Sequence, residues 1–281
     1  MLKPGEYQLL SIERETPQGL YLEDDEGNEV LLPWAYAEDD WSIGERLMVL
    51  VYFDSEGRYI ASTEQADITA GGFASLLVTD VNDIGAFCDW GVSKELFIPY
   101  RNQIGALTPG RKAVVYLYLD ELSNRLVGST RIEKYLKKTA DAETTVGQEV
   151  ALLVYARTDL GYKVVINQRY AGLVYASDAP KPLQYGGEYN GYIKAIRDDG
   201  KLDISMQAIG LERITEDAER LLERLKKEKG FLPFTDKSDP EAIREAFGMS
   251  KKAFKRALGT LYKQRLVDLK SDGFYLNRDR R

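Results

Sequence analysis

Three cations recur along the chain in fixed register. Arg58, Arg125 and Lys201 each stand 39 or 40 residues after a glycine (Gly19, Gly85, Gly161), and each is followed four places on by a serine, Ser62, Ser129 or Ser205. Fourteen residues after each glycine an apolar pair ends in Pro33, Pro99 or Tyr175. Cations at repeated positions can hold the phosphates of a polyanion, or stand as solvated charges at strand ends. A second group, Lys251, Lys252, Lys255, Arg256 and Lys263, lies on the polar side of a helical stretch near the C-terminus and offers the same chemistry. That face is equally what a helix shows to water or to a protein. Tyr116 and Tyr118 share one face of an alternating run, where they either stack bases, at about 1–3 kcal/mol per base, or pack between folding units.

Other chemistry is excluded by what the chain lacks. There is no histidine and one cysteine, Cys88, so a Cys/His zinc site, a Ser-His-Asp triad and an intrachain disulfide are all ruled out. No Gly-rich loop ending in Lys-Ser/Thr and no acidic cluster at catalytic spacing is present. The expectation is a non-enzyme with no metal and no cofactor. The longest apolar runs, such as 47–53 and 113–119, are far shorter than the roughly 18 residues that span a bilayer, and no apolar signal core follows Met1. A cytoplasmic protein with no membrane partner is expected.

The net charge of −7 hides a gradient. Residues 1–66 hold 15 acidic and 4 basic side chains, whereas 211–281 hold 13 acidic and 18 basic. A polyanion would be repelled at the front and attracted toward the back, because its binding follows local charge.

The elements that must position these residues follow from the repeat. Self-similarity at fixed spacing says that one unit of about 70 residues was copied three times. In the second copy the runs 73–80, 86–90, 95–99, 112–120 and 125–130 read as strands, with turn residues between them. In the fourth run Ala113, Val115, Leu117 and Leu119 face one way and Val114, Tyr116, Tyr118 and Asp120 the other, which predicts a strand with one buried face. Five short strands with a longer link between the third and fourth fit a Greek-key barrel of the OB type, whose closure removes exposed edges.

After Gln207 the period changes. Residues 212–229 read as an amphipathic helix around Ile214, Ala218, Leu221, Leu222 and Leu225. Asp239-Pro240 opens a second helix, and Ser250 caps a third that runs to about Gln264 with Ala253, Phe254, Ala257, Leu258, Leu261 and Tyr262 on its apolar stripe. A hairpin through Asp272-Gly273 follows. Helix, helix, turn, helix, hairpin is the order of a winged helix. The predicted fold is mainly β with a C-terminal α+β domain: three tandem OB-fold barrels at 1–66, 67–140 and 141–210, then a winged helix at 211–281.

Gly85-Ala86-Phe87, Glu95-Leu96-Phe97-Ile98, Pro109-Gly110 and Arg125-x-x-x-Ser129 resemble the S1 RNA-binding domain. Gly19-Leu20-Tyr21 with Gly44 and Arg58, and Gly161-Tyr162 with Gly187 and Lys201, resemble it more weakly. Three S1-like copies before a winged helix are similar to the bacterial conserved virulence factor B (YitL-like) family. That resemblance implies a non-enzymatic, RNA-binding regulator of gene expression. In S1 domains a ring two residues after the glycine is a stacking platform; it is kept as Tyr21 and Phe87 and becomes Lys163 in copy three. The ring that precedes the glycine is replaced by Gln18, Ile84 and Leu160, and the S1 histidine by Pro33, Pro99 and Tyr175, with Trp34 and Tyr100 just beyond.

The implied RNA contacts are Tyr21, Trp34, Arg58, Phe87, Tyr100, Tyr116, Tyr118, Arg125, Tyr162, Tyr175 and Lys201, with the five cations of the third helix as a further nucleic-acid contact. The expected partner is single-stranded RNA, with DNA possible through the winged helix and a protein through the acidic first barrel. A protein-interaction scaffold or a DNA-binding transcription regulator are the other readings.

Overall fold

A computed structural model describes residues 1–38, 40–208, 216–264 and 266–277. Residues 1–206 form one compact unit and 207–281 a second, so the break falls a few residues before the position expected from sequence. Among the described residues no helix is long and apolar enough to cross a membrane.

The first barrel comprises β1 (Glu6–Thr16), β2 (Gly19–Glu23), β3 (Glu29–Pro33), β4 (Arg46–Phe53) and β5 (Tyr59–Ser62). It closes in the order β1-β2-β3-β5-β4. The third, β11 (Glu149–Arg157), β12 (Gly161–Ile166), β13 (Tyr170–Tyr175), β14 (Glu188–Ile196) and β15 (Leu202–Ser205), closes in the same way. The middle copy has β6 (Phe73–Asn82), β7 (Gly85–Asp89), β8 (Leu96–Pro99), β9 (Lys112–Asp120) and β10 (Arg125–Ser129).

Its hydrogen-bonded order is β10-β9-β6-β7-β8, so this barrel lacks the ladder between its third and fifth strands, β8 and β10, that closes the other two. Two buried amides do the work of the missing ladder. Asn102 Nδ2 donates to the Gly128 carbonyl at 3.0 Å, and Gln103 Nε2 donates to the Ile98 carbonyl at 2.8 Å. The repeated serine belongs to the same seam, since buried Ser129 donates its Oγ to the Asn102 carbonyl.

The repeated glycine and the residue fourteen places later are a hairpin register. Gly19 lies opposite Pro33, Gly85 opposite Pro99 and Gly161 opposite Tyr175. Each glycine has φ between +150° and +158°, and an added Cβ would sit 2.1 to 2.4 Å from a carbonyl oxygen of the facing strand. Only glycine fits, because any side chain meets both a disfavoured backbone and a main-chain clash. A β-bulge also recurs in the first strand of each barrel, between Ile12 and Arg14, Val78 and Asp80, and Val154 and Ala156.

The barrels are not beads on a string. Leu50 and Tyr52 of β4 belong to the core of the middle barrel, where Tyr52 meets Trp90 edge-on at 6.1 Å. On the other side Phe73 and Val114 pack with Ile132, Leu136, Leu153 and Val165 to join the middle and third barrels. Val114 is therefore buried, and β9 is covered on both faces over part of its length rather than on one as its alternation predicts. Cys88 is fully buried in the middle core, and burial pushes its thiol pKa up to about 12. It is expected to resist a thiol-specific reagent at pH 8 in the native protein and to react at once in denaturant, a comparison that reports directly on middle-barrel packing.

The second unit has α1 (Glu216–Lys227), β16 (Phe231–Leu232), α2 (Pro240–Phe247), α3 (Lys251–Lys263), β17 (Val267–Lys270) and β18 (Gly273–Leu276), with sheet order β16-β18-β17. Asp239 caps α2 by accepting from the amides of Glu241 and Ala242, and Ser250 caps α3 through the amide of Ala253. Leu221, Leu225, Ile243, Phe254, Leu261 and Phe274 fill the core. Tyr262 is not part of the apolar stripe as expected; at 54% exposure its ring faces water. Ile214, assigned to α1 from sequence, lies outside the described residues.

Candidate nucleic-acid interface

The hairpin register that makes Gly85 face Pro99 also sets Phe87 opposite Phe97, while the alternation of β7 turns Ala86 and Cys88 into the core. The two rings lie 5.2 Å apart, tilted by 38°, half-buried at the floor of a cleft of about 320 Å³. Arg125, the first residue of β10, lines the same cleft and forms no ion pair among the described residues. Lys94 is also there, and its ammonium donates to the carbonyls of Phe53 and Asp54 at 2.7 Å each. Burial, followed by the charge of Arg125, pulls the Lys94 pKa down. The opposite wall comes from barrel 1, through Phe53 and Ser55. Glu95 also lines the cleft but pairs with neither cation, and an aromatic floor beside Arg125 and Lys94 can stack a planar ring and hold an anion.

The other copies lack this arrangement. In barrel 1 the residue opposite Tyr21 is Leu31, and one face of the Tyr21 ring is taken by the Arg14 guanidinium at 3.7 Å. Arg58 is held by Asp54 at 2.7 Å and Glu56 at 3.1 Å. Trp34 Nε1 donates to the Thr16 carbonyl, and at the equivalent place in barrel 2 Tyr100 donates its hydroxyl to the Asn82 carbonyl, so both rings pin the turn between the first two strands of their barrels.

Barrel 3 has a larger cleft, about 500 Å³, lined by Leu160, Leu173, Lys138, Lys163, Arg197 and Lys201 among others. Most of its cations are compensated: Lys163 by Glu133 at 2.8 Å, Lys201 by Asp199 and Arg197 by Asp203 at 2.6 Å each. Lys163 and Lys201 hold the Glu133 and Asp199 carboxyls below their usual range. Tyr175 accepts a hydrogen bond from Arg197 at 2.7 Å. Tyr162 is a correction: it alternates with Lys163 and points into the core, 6% exposed, where no base can reach it. Tyr116 and Tyr118 are likewise not free platforms. Tyr116 stacks on Tyr135 at 4.0 Å and packs on Phe73 at 4.8 Å, which places it in the seam between barrels, and Tyr118 follows it at 5.4 Å from Tyr135.

On α3, Lys252 and Lys263 are exposed, Lys255 and Arg256 reach Asp236 and Asp217 at 3.6 and 3.9 Å, and Lys251 reaches the Lys237 carbonyl at 3.5 Å. An aromatic pair that sequence reading missed sits on the small sheet, Phe231 against Tyr275 at 4.6 Å with Lys270 over the Tyr275 ring at 4.5 Å. Of the residues expected from sequence, the structure thus brings Phe87 and Arg125 into one cleft and adds Phe97 and Lys94 to them. Phe97 was recoverable from the fourteen-residue interval, since a pairing of Gly85 with Pro99 implies one of Phe87 with Phe97. Lys94 carries no such signal, because its position depends on contacts with the preceding barrel.

Comparison with known proteins agrees with this architecture. Residues 219–276 match the CvfB-like winged helix domain and residues 4–64 match the S1 domain. Conserved virulence factor B of Staphylococcus haemolyticus is 31% identical over 243 residues, covering 83% of this chain and 80% of that protein. The uncharacterized protein YitL of Bacillus subtilis is 28% identical over 272 residues, covering 93% and 90%. A solved multidomain protein with nucleic acid binding domains from Streptococcus pneumoniae is 22% identical, covering 97% of this chain and 98% of that one, with a TM-score of 0.46.

Proposed function

The chain belongs to the conserved virulence factor B family, and we propose that it is a non-enzymatic, cytoplasmic protein that binds single-stranded RNA as a post-transcriptional regulator, chiefly through the cleft of its middle barrel. The observation that carries this reading is the Phe87–Phe97 floor flanked by Arg125, which makes no ion pair among the described residues. A half-exposed ring pair accepts any base, so the binding is sequence-tolerant, and single strands are the form of RNA whose bases are free to stack. Barrel 1, with its cations tied to its own carboxylates and its excess of acid, is not an RNA site in this reading. Barrel 3 and the cations of α3 add weaker phosphate contacts.

The test is a titration of labelled oligouridylate at about 50 and about 200 mM salt. With two or more phosphate contacts, affinity is expected to fall roughly 10-fold across that range. Binding indifferent to salt, or a preference for duplex DNA that single-stranded RNA does not compete away, would overturn the reading in favour of a protein scaffold or a DNA regulator.

A further inference from the structure

We propose that Lys94 is a second phosphate contact in the middle-barrel cleft and that barrel 1 holds it in place, so that the RNA site is built by two barrels. This rests on reading the cleft as an RNA site. Lys94 lies in the 90–95 connection between β7 and β8, and barrel 1 grips that connection at adjacent residues. The Ser93 amide and hydroxyl both donate to Glu64 Oε1, at 3.0 and 2.6 Å, while the Lys94 ammonium donates to the carbonyls of Phe53 and Asp54. Within the connection the Trp90 indole donates to the Lys94 carbonyl. The side chain is thereby fixed before any ligand arrives, and a fixed contact loses little freedom on binding.

Capturing carbonyls does not require a charge. In this same barrel Gln103 does it with a neutral amide, at 2.8 Å from the Ile98 carbonyl. An ammonium has three donors, two of which are used here, and no carboxylate of the described residues lies within ion-pair distance of it. It makes no ion pair and stands beside Arg125 in a partly buried cleft that Glu95 also lines, with Asp54 acting on it only beyond ion-pair distance. Burial first and the charge of Arg125 second disfavour the charged Lys94, with Asp54 opposing them, and an anion entering between the two cations relieves both. A phosphate between Lys94 and Arg125, with its base on Phe87 and Phe97, satisfies both cations. Barrel 1, which binds no RNA of its own in this reading, then has a positioning role: Glu64, Phe53 and Asp54 set where Lys94 stands.

The experiment uses the full chain and labelled oligouridylate, and reads affinity as a function of salt. Lys94→Gln keeps a donor for the carbonyls and removes the charge. Its affinity is expected to drop several-fold and its log-affinity against log-salt slope to become shallower by about 0.7, the value of one single-strand phosphate contact. Ser55→Asp leaves the Lys94 tie intact and puts a carboxylate on the barrel 1 wall of the cleft, and it is expected to weaken binding and flatten the slope in the same way. Glu64→Ala loosens the positioning and leaves the Lys94 ammonium in place, so affinity should fall with the slope unchanged.

A Lys94→Gln protein that melts earlier yet keeps the wild-type slope would make Lys94 a brace only. Wild-type binding by Ser55→Asp would overturn the composite site even if Lys94→Gln fails to fold. If Arg125→Ala flattens the slope and these two do not, this inference alone fails. If the wild type shows no slope, the reading of the cleft falls with it.

Discussion

A protein carrying Phe87→Ala and Arg125→Ala together is expected to bind single-stranded RNA roughly 30- to 1000-fold more weakly than the wild type, a loss of about 2–4 kcal/mol. The ring supplies the larger part. Removing Phe87 leaves Phe97 without the partner it touches at 5.2 Å and takes away the surface on which a base would lie. Arg125 supplies a charge held in no ion pair among the described residues, so its loss should also flatten the salt dependence. The two changes act on one bound nucleotide and need not add, which makes the single variants part of the measurement. Arg58→Ala is the matched control. Arg58 occupies the same position in barrel 1 but is already held by Asp54 and Glu56, so affinity should change by less than about twofold. Equal losses from Arg58→Ala and Arg125→Ala would mean that the clefts are equivalent and that the distinction drawn between barrels is wrong.

Gly85→Val is expected to be the most damaging single substitution for folding of the middle barrel. With φ at +158° the backbone is in a region that a β-branched residue avoids, at a cost of about 1–3 kcal/mol. The added Cβ would also meet the Ile98 carbonyl oxygen at 2.4 Å and the Phe97 ring at 2.7 Å. The carbonyl cannot withdraw, because Ile98 is in the core and its oxygen is held by Gln103. The combined effect should exceed about 3 kcal/mol and lower the midpoint of denaturant unfolding accordingly. Gly259→Ala on α3 provides the contrast. Nothing lies within 4 Å of the position its Cβ would take, and a helical glycine to alanine change should be neutral or stabilise by up to about 1 kcal/mol. A Gly85→Val protein as stable as the wild type would show that the strand can shift to admit a side chain.

The fold was legible because its strongest signals are covalent in register: glycine to proline at fourteen residues is a hairpin pairing, and the alternation in β6 to β10 marks faces without reference to the rest of the chain. The strands 73–80, 112–120 and 125–130 expected from sequence differ from those observed by at most two residues at an end. Site residues were harder to read because their availability depends on neighbours distant in sequence. Tyr116 resembles a platform until Tyr135, nineteen residues on, covers it. Arg58 and Arg125 look alike until Asp54 and Glu56 are seen to occupy only the former. Tyr162 departs from expectation for a local reason, since the alternation that turns Ala86 inward in copy two does the same to Tyr162 in copy three.

That Leu50 and Tyr52 of the first barrel lie in the core of the second limits what the repeat can now be used for. Three independent copies of one unit would behave as cassettes, open to reordering, deletion or exchange with those of relatives. Here each copy has become adapted to its position: removing the first would bare a greasy flank on the second, and a transplanted middle barrel would have to bring β4 with it. The ancestral duplication is still visible in the sequence, but it can no longer be run backwards.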